Sequence, residues 1–248
     1  MSITKKVLAG TALLLSGLLL VSGSAASAKE IHPVFFIQAG KSSSLDPNNL
    51  LDWYDLTRNY GPAETMGGVE FDDKYRAVKF SGGYYAAPSG FEDFSNGITI
   101  IARANFGKEV DRWERIIDFG NGIESNNIAL SRYGDSDELI FEVWQGSVRL
   151  GRAATTSSPL KSKNRFHTFA ATLNKDRVPK IYVDGKLQKI EISWSGLDTT
   201  RFIGMPPVVY RSSNFIGHSN WPDDEDFEGS IKYLKIYDQA LSKALLTK

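Results

Sequence analysis

Apolar and polar residues alternate over residues 166–173. His167, Phe169, Ala171 and Leu173 fall on one side, and Phe166, Thr168, Ala170 and Thr172 on the other. A period of two predicts a strand whose faces meet different surroundings. Ile181, Tyr182 and Val183 supply a second β-branched and aromatic run. Asp184-Gly185 follows, and residues 186–192 alternate again. Asp-Gly between two such runs predicts a tight hairpin, because a type I′ turn needs positive φ at both central positions.

The same pattern recurs along the chain. Residues 98–106 form the longest run, with Ile98, Ile100, Ala102, Ala104 and Phe106 directed inward and Arg103 and Asn105 outward. Residues 113–119, 127–133, 138–144, 147–152 and 229–237 read as further strands, with Leu139, Phe141 and Val143 on one face of the third. Shorter runs lie at 34–37, 77–80, 84–87 and 214–217. Residues 57–68 and 193–212 have loop chemistry, rich in Gly, Pro, Asn and Thr. Residues 241–246 have room for one or two helical turns. About a dozen short strands with turn signals between them predict an all-β fold, one antiparallel β-sandwich or jelly roll.

The N-terminus departs from this pattern. Lys5 and Lys6 precede an apolar stretch at 7–21, and Ala26-Ser27-Ala28 is a small-x-small cleavage sequence. This is the layout of a secretory signal peptide, so residues 1–28 are expected to be removed and residues 29–248 to form a single secreted or periplasmic domain. No second apolar run is long enough to insert the mature chain into a membrane. Without Lys5 and Lys6 the chain carries 27 basic against 29 acidic residues, a net charge of −2. That balance gives no electrostatic footprint for nucleic acid. The chain has no cysteine, so a packed core must supply the stability that disulfides give many exported domains.

Several segments, in order, carry a resemblance. They are LLDWYDLTRN, VKFSGGYYAAP, GITIIARANF, RIIDFGNG with NNIALSR, FHTFAATL, KIYVDGK, and NFIG with FEGSIKYLKIYDQALS. Together they span about residues 50–245. The chain resembles the laminin-G-like branch of the concanavalin A-like lectin/glucanase superfamily. The resemblance implies two stacked antiparallel sheets and the binding of glycans or extracellular proteins, often at a rim of loops and often with calcium. Some relatives are glucanases or lyases, so function has to be argued from sites.

Three sites follow. Ca²⁺ needs six to eight oxygens. The acidic positions that many relatives use are Ser81 and Lys232 here, which leaves Asp223, Asp224 and Asp226 as the metal candidates; the competing reading is a solvated acidic loop. Sugars stack their C–H faces on aromatic rings, which nominates Trp221, Tyr84, Tyr85 and Trp113, with Trp53 and Tyr54 beside them. Trp221, in a polar loop before Pro222, leads this group. Finally, Glu109, Asp111 and Glu114 match the E-x-D-x-x-E spacing of laminarinase-type glucanases, in which two carboxyls share retaining hydrolysis. Arg112 and Lys108 stand where that motif wants apolar anchors. The primary expectation is therefore a non-catalytic carbohydrate- or surface-binding module. A divergent glycoside hydrolase and a protein-binding adhesion domain are the alternatives. His32, His167 and His218 belong to no nucleophile or metal motif.

Overall fold

The long alternating runs pair into two antiparallel sheets. The computed structural model describes residues 30–107, 112–162, 165–194 and 196–246. The signal-peptide reading falls on residues outside these. From His32 onward the described chain forms one compact unit. Strands are numbered in chain order. The first sheet runs β15 (Lys186–Leu187), β14 (Pro179–Val183), β13 (His167–Asn174), β8 (Gly97–Phe106), β18 (Gly229–Tyr237), β6 (Ala77–Phe80) and β5 (Val69–Asp72), with β1 (Phe35–Gln38) also paired to β18. The second runs β16 (Ile190–Ser193), β12 (Val148–Thr155), β11 (Leu139–Gln145), β10 (Ile128–Arg132), β9 (Arg115–Gly120), β17 (Ser213–Ile216), β7 (Tyr85–Ala87), β4 (Ala63–Thr65), β3 (Asn49–Trp53) and β2 (Leu45–Asp46). Such stacking of two antiparallel sheets is a jelly-roll sandwich.

The inner faces are the ones that alternation predicts. Ile98, Ile100, Ala102, Ala104 and Phe106 of β8 meet Leu139, Phe141 and Val143 of β11 in one continuous core. Asp184 and Gly185 both have positive φ, +48° and +73°, as the tight turn requires. A smaller apolar cluster lies on the outer side of the first sheet, where Leu241 and Leu246 cover Ile101, Ala170 and Tyr182. The tail that carries them holds a single 3₁₀ turn, Lys243–Leu245. Among the described residues no helix is long and apolar enough to cross a membrane.

Three features depart from the sequence reading. The run at 186–192 is two strands, because β15 pairs with β14 in the first sheet and β16 pairs with β12 in the second. The chain changes sheets at Gln188-Lys189. The stretch at 57–68 contains β4, a three-residue strand too short to show a period. The strand expected from residue 113 begins at Arg115, and Trp113 sits in the preceding turn at φ +59°.

Candidate functional site

Along β11 the residues opposite the core are Ile140, Glu142 and Trp144. Cross-strand register sets Glu142 beside Ala129 of β10 and Arg152 of β12, with Asp118 of β9 beyond Ala129. Two bulges enlarge this outer row. One leaves Leu150 unmatched and pairs Trp144 with Arg149, so Arg149 and Arg152, three apart, share a face. The other leaves Ile116 unmatched and pairs Ser131 with Arg115, so Arg115 and Asp118 also share a face. Without the bulges, positions three apart on a strand would point to opposite sides.

Three guanidiniums therefore converge on one carboxylate. Glu142 Oε2 accepts from Arg152 Nε at 2.8 Å and lies 3.4 Å from Arg149 Nε, while Oε1 accepts from Arg115 Nη1 at 3.4 Å. Around them stand four of the five tryptophans of the chain. Arg115 lies over Trp221 (5.0 Å) and Trp113 (5.9 Å). Arg152 lies over Trp113 (5.0 Å), Tyr133 (5.3 Å) and Trp194 (5.1 Å). Arg149 is held between Trp144 (4.2 Å) and Trp194 (4.1 Å). Trp144 meets Trp221 with centroids 5.7 Å apart. The aromatic rings and guanidiniums thus form a closed circuit above Glu142, alternating except where Trp144 meets Trp221. Each such contact contributes about 0.5–2 kcal/mol, more as water is excluded.

The floor of this circuit is dry and its wall is not. Glu142 and Trp144 are 1 % and 3 % exposed, while Trp194 is 52 % exposed and Trp113 and Trp221 are half-buried. Both Trp113 and Trp194 hold left-handed backbone, φ +59° and +58°. Bulky residues seldom adopt that conformation, which costs about 1–2 kcal/mol and tends to collect where function demands a fixed side-chain direction.

Burial and charge compete at each ionisable group here. Burial raises the Glu142 carboxyl, but Arg115, Arg152 and Arg149 together overcome it and leave it below the usual glutamate range. Asp118 goes the other way. Complete burial raises it, and Arg115 at 3.8 Å with donors from Asn127 and Asn220 does not offset that. Arg149 is pulled down by burial and by its two guanidinium neighbours, against Glu142 and Glu124. Arg115 is the best-compensated cation, since Asp224 also accepts from its Nη2 at 2.8 Å.

Of the sugar-stacking residues named from sequence, Trp113 and Trp221 belong to this circuit. Tyr84 lies in the adjoining segment of the same sheet, stacked on His218 at 4.1 Å and edge-on to Phe215, whose residue pairs with Asp118. Tyr85 is a correction. It is fully enclosed, packs on Trp53 at 5.3 Å and donates to the Leu50 carbonyl, so it is a core residue. Trp53 is core as well, and Tyr54 is exposed beside Asp52.

The acidic loop is a second correction. Asp224 Oδ2 accepts from both Arg115 and Ser219, Asp226 accepts from His218 at 2.5 Å, and Asp223 is exposed. Among the described residues no three His, Cys, Asp or Glu side chains meet at a point. Asp224 and Asp226 brace the Trp221 loop, and the three aspartates do not gather the many oxygens that Ca²⁺ requires. Lys232 lies over Phe166 at 4.5 Å and offers no oxygen at the position where relatives place an acid.

The glucanase-like triplet is a third correction in part. Glu109 and Asp111 lie outside the described residues. Glu114 is fully buried: its Oε2 accepts from Arg132 Nε at 2.6 Å and its Oε1 from the Glu228 amide at 3.0 Å. A carboxyl locked in that way is a structural tie between β10 and the residue that precedes β18, and is closed to a substrate.

Sequence reasoning missed Arg115, Glu142, Arg149, Arg152, Trp144 and Trp194. One signal was present. Period two sets Glu142 and Trp144 opposite Leu139, Phe141 and Val143, and a glutamate on such an apolar strand needs a partner.

The comparisons with known proteins agree with this architecture. Domain 4 of an extracellular arabinanase from Geobacillus stearothermophilus, solved with arabinotriose, matches with a TM-score of 0.60 at 16 % identity, over 88 % of this chain and 98 % of that one. A Trypanosoma rangeli sialidase, solved with difluorosialic acid, matches with a TM-score of 0.57 at 16 % identity, over 87 % of this chain. The chain spans about a third, 32 %, of that sialidase. At such identities the likeness shows the fold. Among curated proteins none matches the sequence. A laminin G domain model matches residues 80–246, and with both sheets in the expected arrangement the chain belongs to the concanavalin A-like lectin/glucanase superfamily.

Proposed function

We propose that the protein is an exported carbohydrate-binding module, non-catalytic itself, whose ligand lies on the outer face of the second sheet. The observation that carries this reading is the gathering of Trp113, Trp144, Trp194 and Trp221 around three arginines on that face. Half-exposed indoles offer flat apolar surfaces to sugar C–H faces, and guanidinium edges orient the hydroxyls. Two of the indoles are held in strained backbone, which fixes the platform before a ligand arrives. Support also comes from the arabinanase domain of the same fold, which was solved with a trisaccharide. Export rests on the signal-peptide layout of residues 1–28.

The test is a binding assay on an oligosaccharide array with residues 29–248. Trp194→Ala and Trp221→Ala are expected to lose roughly five- to a hundredfold in affinity, since stacking on one ring contributes about 1–3 kcal/mol. Their melting temperatures should stay near that of the parent. Glycan binding unchanged in both variants would place the ligand elsewhere. N-terminal sequencing of protein recovered from the medium or periplasm should begin at Lys29.

A further inference from the structure

Both faces of the Arg149 guanidinium are covered, by Trp144 at 4.2 Å and Trp194 at 4.1 Å. Only its in-plane edge is left to donate. Its Nε is buried without a hydrogen-bond partner, and its one ion pair among the described residues, to Glu142 at 3.4 Å, uses a carboxylate that Arg115 and Arg152 also occupy. Arg115 has Asp118 and Asp224 besides. Arg149 and Arg152 have Glu142 alone among ion-pair partners in the described residues. The side of the circuit formed by these two is therefore short of negative charge, at the wall where Trp194 opens to solvent.

We infer that the site takes an acidic sugar, a glycan bearing a carboxylate such as a uronic or sialic acid, with the carboxylate received edge-on by Arg149 and Arg152 and the sugar ring laid against Trp194. The inference rests on the glycan-binding reading of this face and names its substrate class. A planar carboxylate matches the in-plane fork of a guanidinium in a two-bond pairing, and stacking on indoles holds that fork in place. Lysine could not replace arginine here, because an ammonium has neither the flat faces nor the fork. Neutral sugars would leave Arg149 with the carboxylate it shares and the weaker pull of Glu124.

The experiment uses matched pairs that differ only at the acid. Trigalacturonate is compared with its methyl ester, and sialyllactose with lactose, with sulfated lactose as a third arm. Calorimetric titration should show at least one carboxylated member binding roughly ten- to a hundredfold tighter than its neutral twin, the worth of a charge-assisted pairing. That preference should shrink with added salt, while binding of the neutral twin holds. Arg149→Lys should abolish the preference; the salt dependence of the parent protein tests the same point should that variant fold poorly. Equal binding of both members of each pair, lost in Trp194→Ala, would overturn the acidic-sugar inference and leave the glycan-binding reading standing. Sulfated lactose binding as tightly as the carboxylates would overturn the edge-on pairing in favour of plain charge attraction. No binding across the whole set would overturn both.

Discussion

Replacing Glu142 by Gln tests whether the arginine–tryptophan circuit is held by charge. Glutamine keeps the shape and can still accept one bond from Arg152, so the change removes little but the charge. Arg115 retains Asp118 at 3.8 Å and Asp224 at 2.8 Å. Arg149 and Arg152 lose the carboxylate they share, in a place where Glu142 is 1 % exposed. Breaking a buried pair by removing one partner costs about 3–5 kcal/mol, because the remaining charge stays desolvated. Part of Arg149 reaches solvent, its side chain being 16 % exposed, which puts the expectation at the lower end, about 3 kcal/mol. For a domain of this size that is a fall in melting temperature of roughly 6–12 °C. Thermal unfolding at neutral pH reads the shift directly. The acid limb adds a second signature. The folded carboxyl lies below its ordinary value, so its stabilisation is full above that value and is lost as pH falls through the lower, folded one. The parent protein should lose stability more steeply than Glu142→Gln below about pH 4.5. A variant as stable as its parent at pH 7, with the same acid limb, would refute the ion-paired circuit.

Other expectations follow from single contacts. Gly151→Ala would place a Cβ 2.2 Å from the ring of fully buried Phe202, so calorimetry should show a loss of about 1–3 kcal/mol, and Phe202→Leu in the same chain should recover part of it. Trp194→Gly should be more stable than Trp194→Ala by about 1 kcal/mol in chemical denaturation, since only the glycine adopts φ +58° without cost, yet both should lose ligand equally. Arg211 is fully buried and donates to the backbone carbonyls of Phe91, Asn126 and Pro207, so Arg211→Met should cost about 2–4 kcal/mol, read as a lowered denaturant midpoint.

The sheets were legible because one physical signal, alternation, both forms them and shows in sequence. β8 reads correctly residue by residue since its inner side is continuous core. Legibility fails where a strand is shorter than one full alternation, as at Ala63–Thr65, or where one alternating run serves two sheets, as at residues 186–192. Nothing in the residues of Lys186 to Ile192 marks the crossing, because each half alternates correctly against its own partner. The turn before β9 was hidden for another reason. Trp113 has high strand propensity and takes a left-handed turn instead, an arrangement that local preference opposes and that the surrounding contacts with Gly134 and Tyr133 impose.

The site was legible only at its edges, and the bulges explain why. Trp113 and Trp221 were visible as aromatics in polar surroundings. Arg149 with Arg152, and Arg115 with Asp118, are spaced by three, which on a regular strand assigns the two members to opposite faces. Each pair shares a face only because one extra residue, Leu150 or Ile116, sits in the ladder beside it. A bulge costs a ladder hydrogen bond and bends its strand, so two of them flanking the same glutamate are a standing expense that packing of the sheets does not require. What they achieve is the crowding of three like charges around one carboxylate beneath indoles, with Asp118 and Asp224 offsetting Arg115 while Arg149 and Arg152 share Glu142. The fold keeps Glu142 as the counter-ion that Arg149 and Arg152 share, and on this reading a further anion arrives with the ligand. Removing Ile116 or Leu150 should therefore still build both sheets and leave each pair on the outer face, now two apart on a regular strand. It straightens the strand that the bulge bends, so the guanidiniums lose their aim, and ligand should bind at least tenfold more weakly, about 1.4 kcal/mol. Circular dichroism and calorimetric titration on the two deletions separate those outcomes. Undiminished binding in both would mean that the bend which the bulges impose is incidental to recognition.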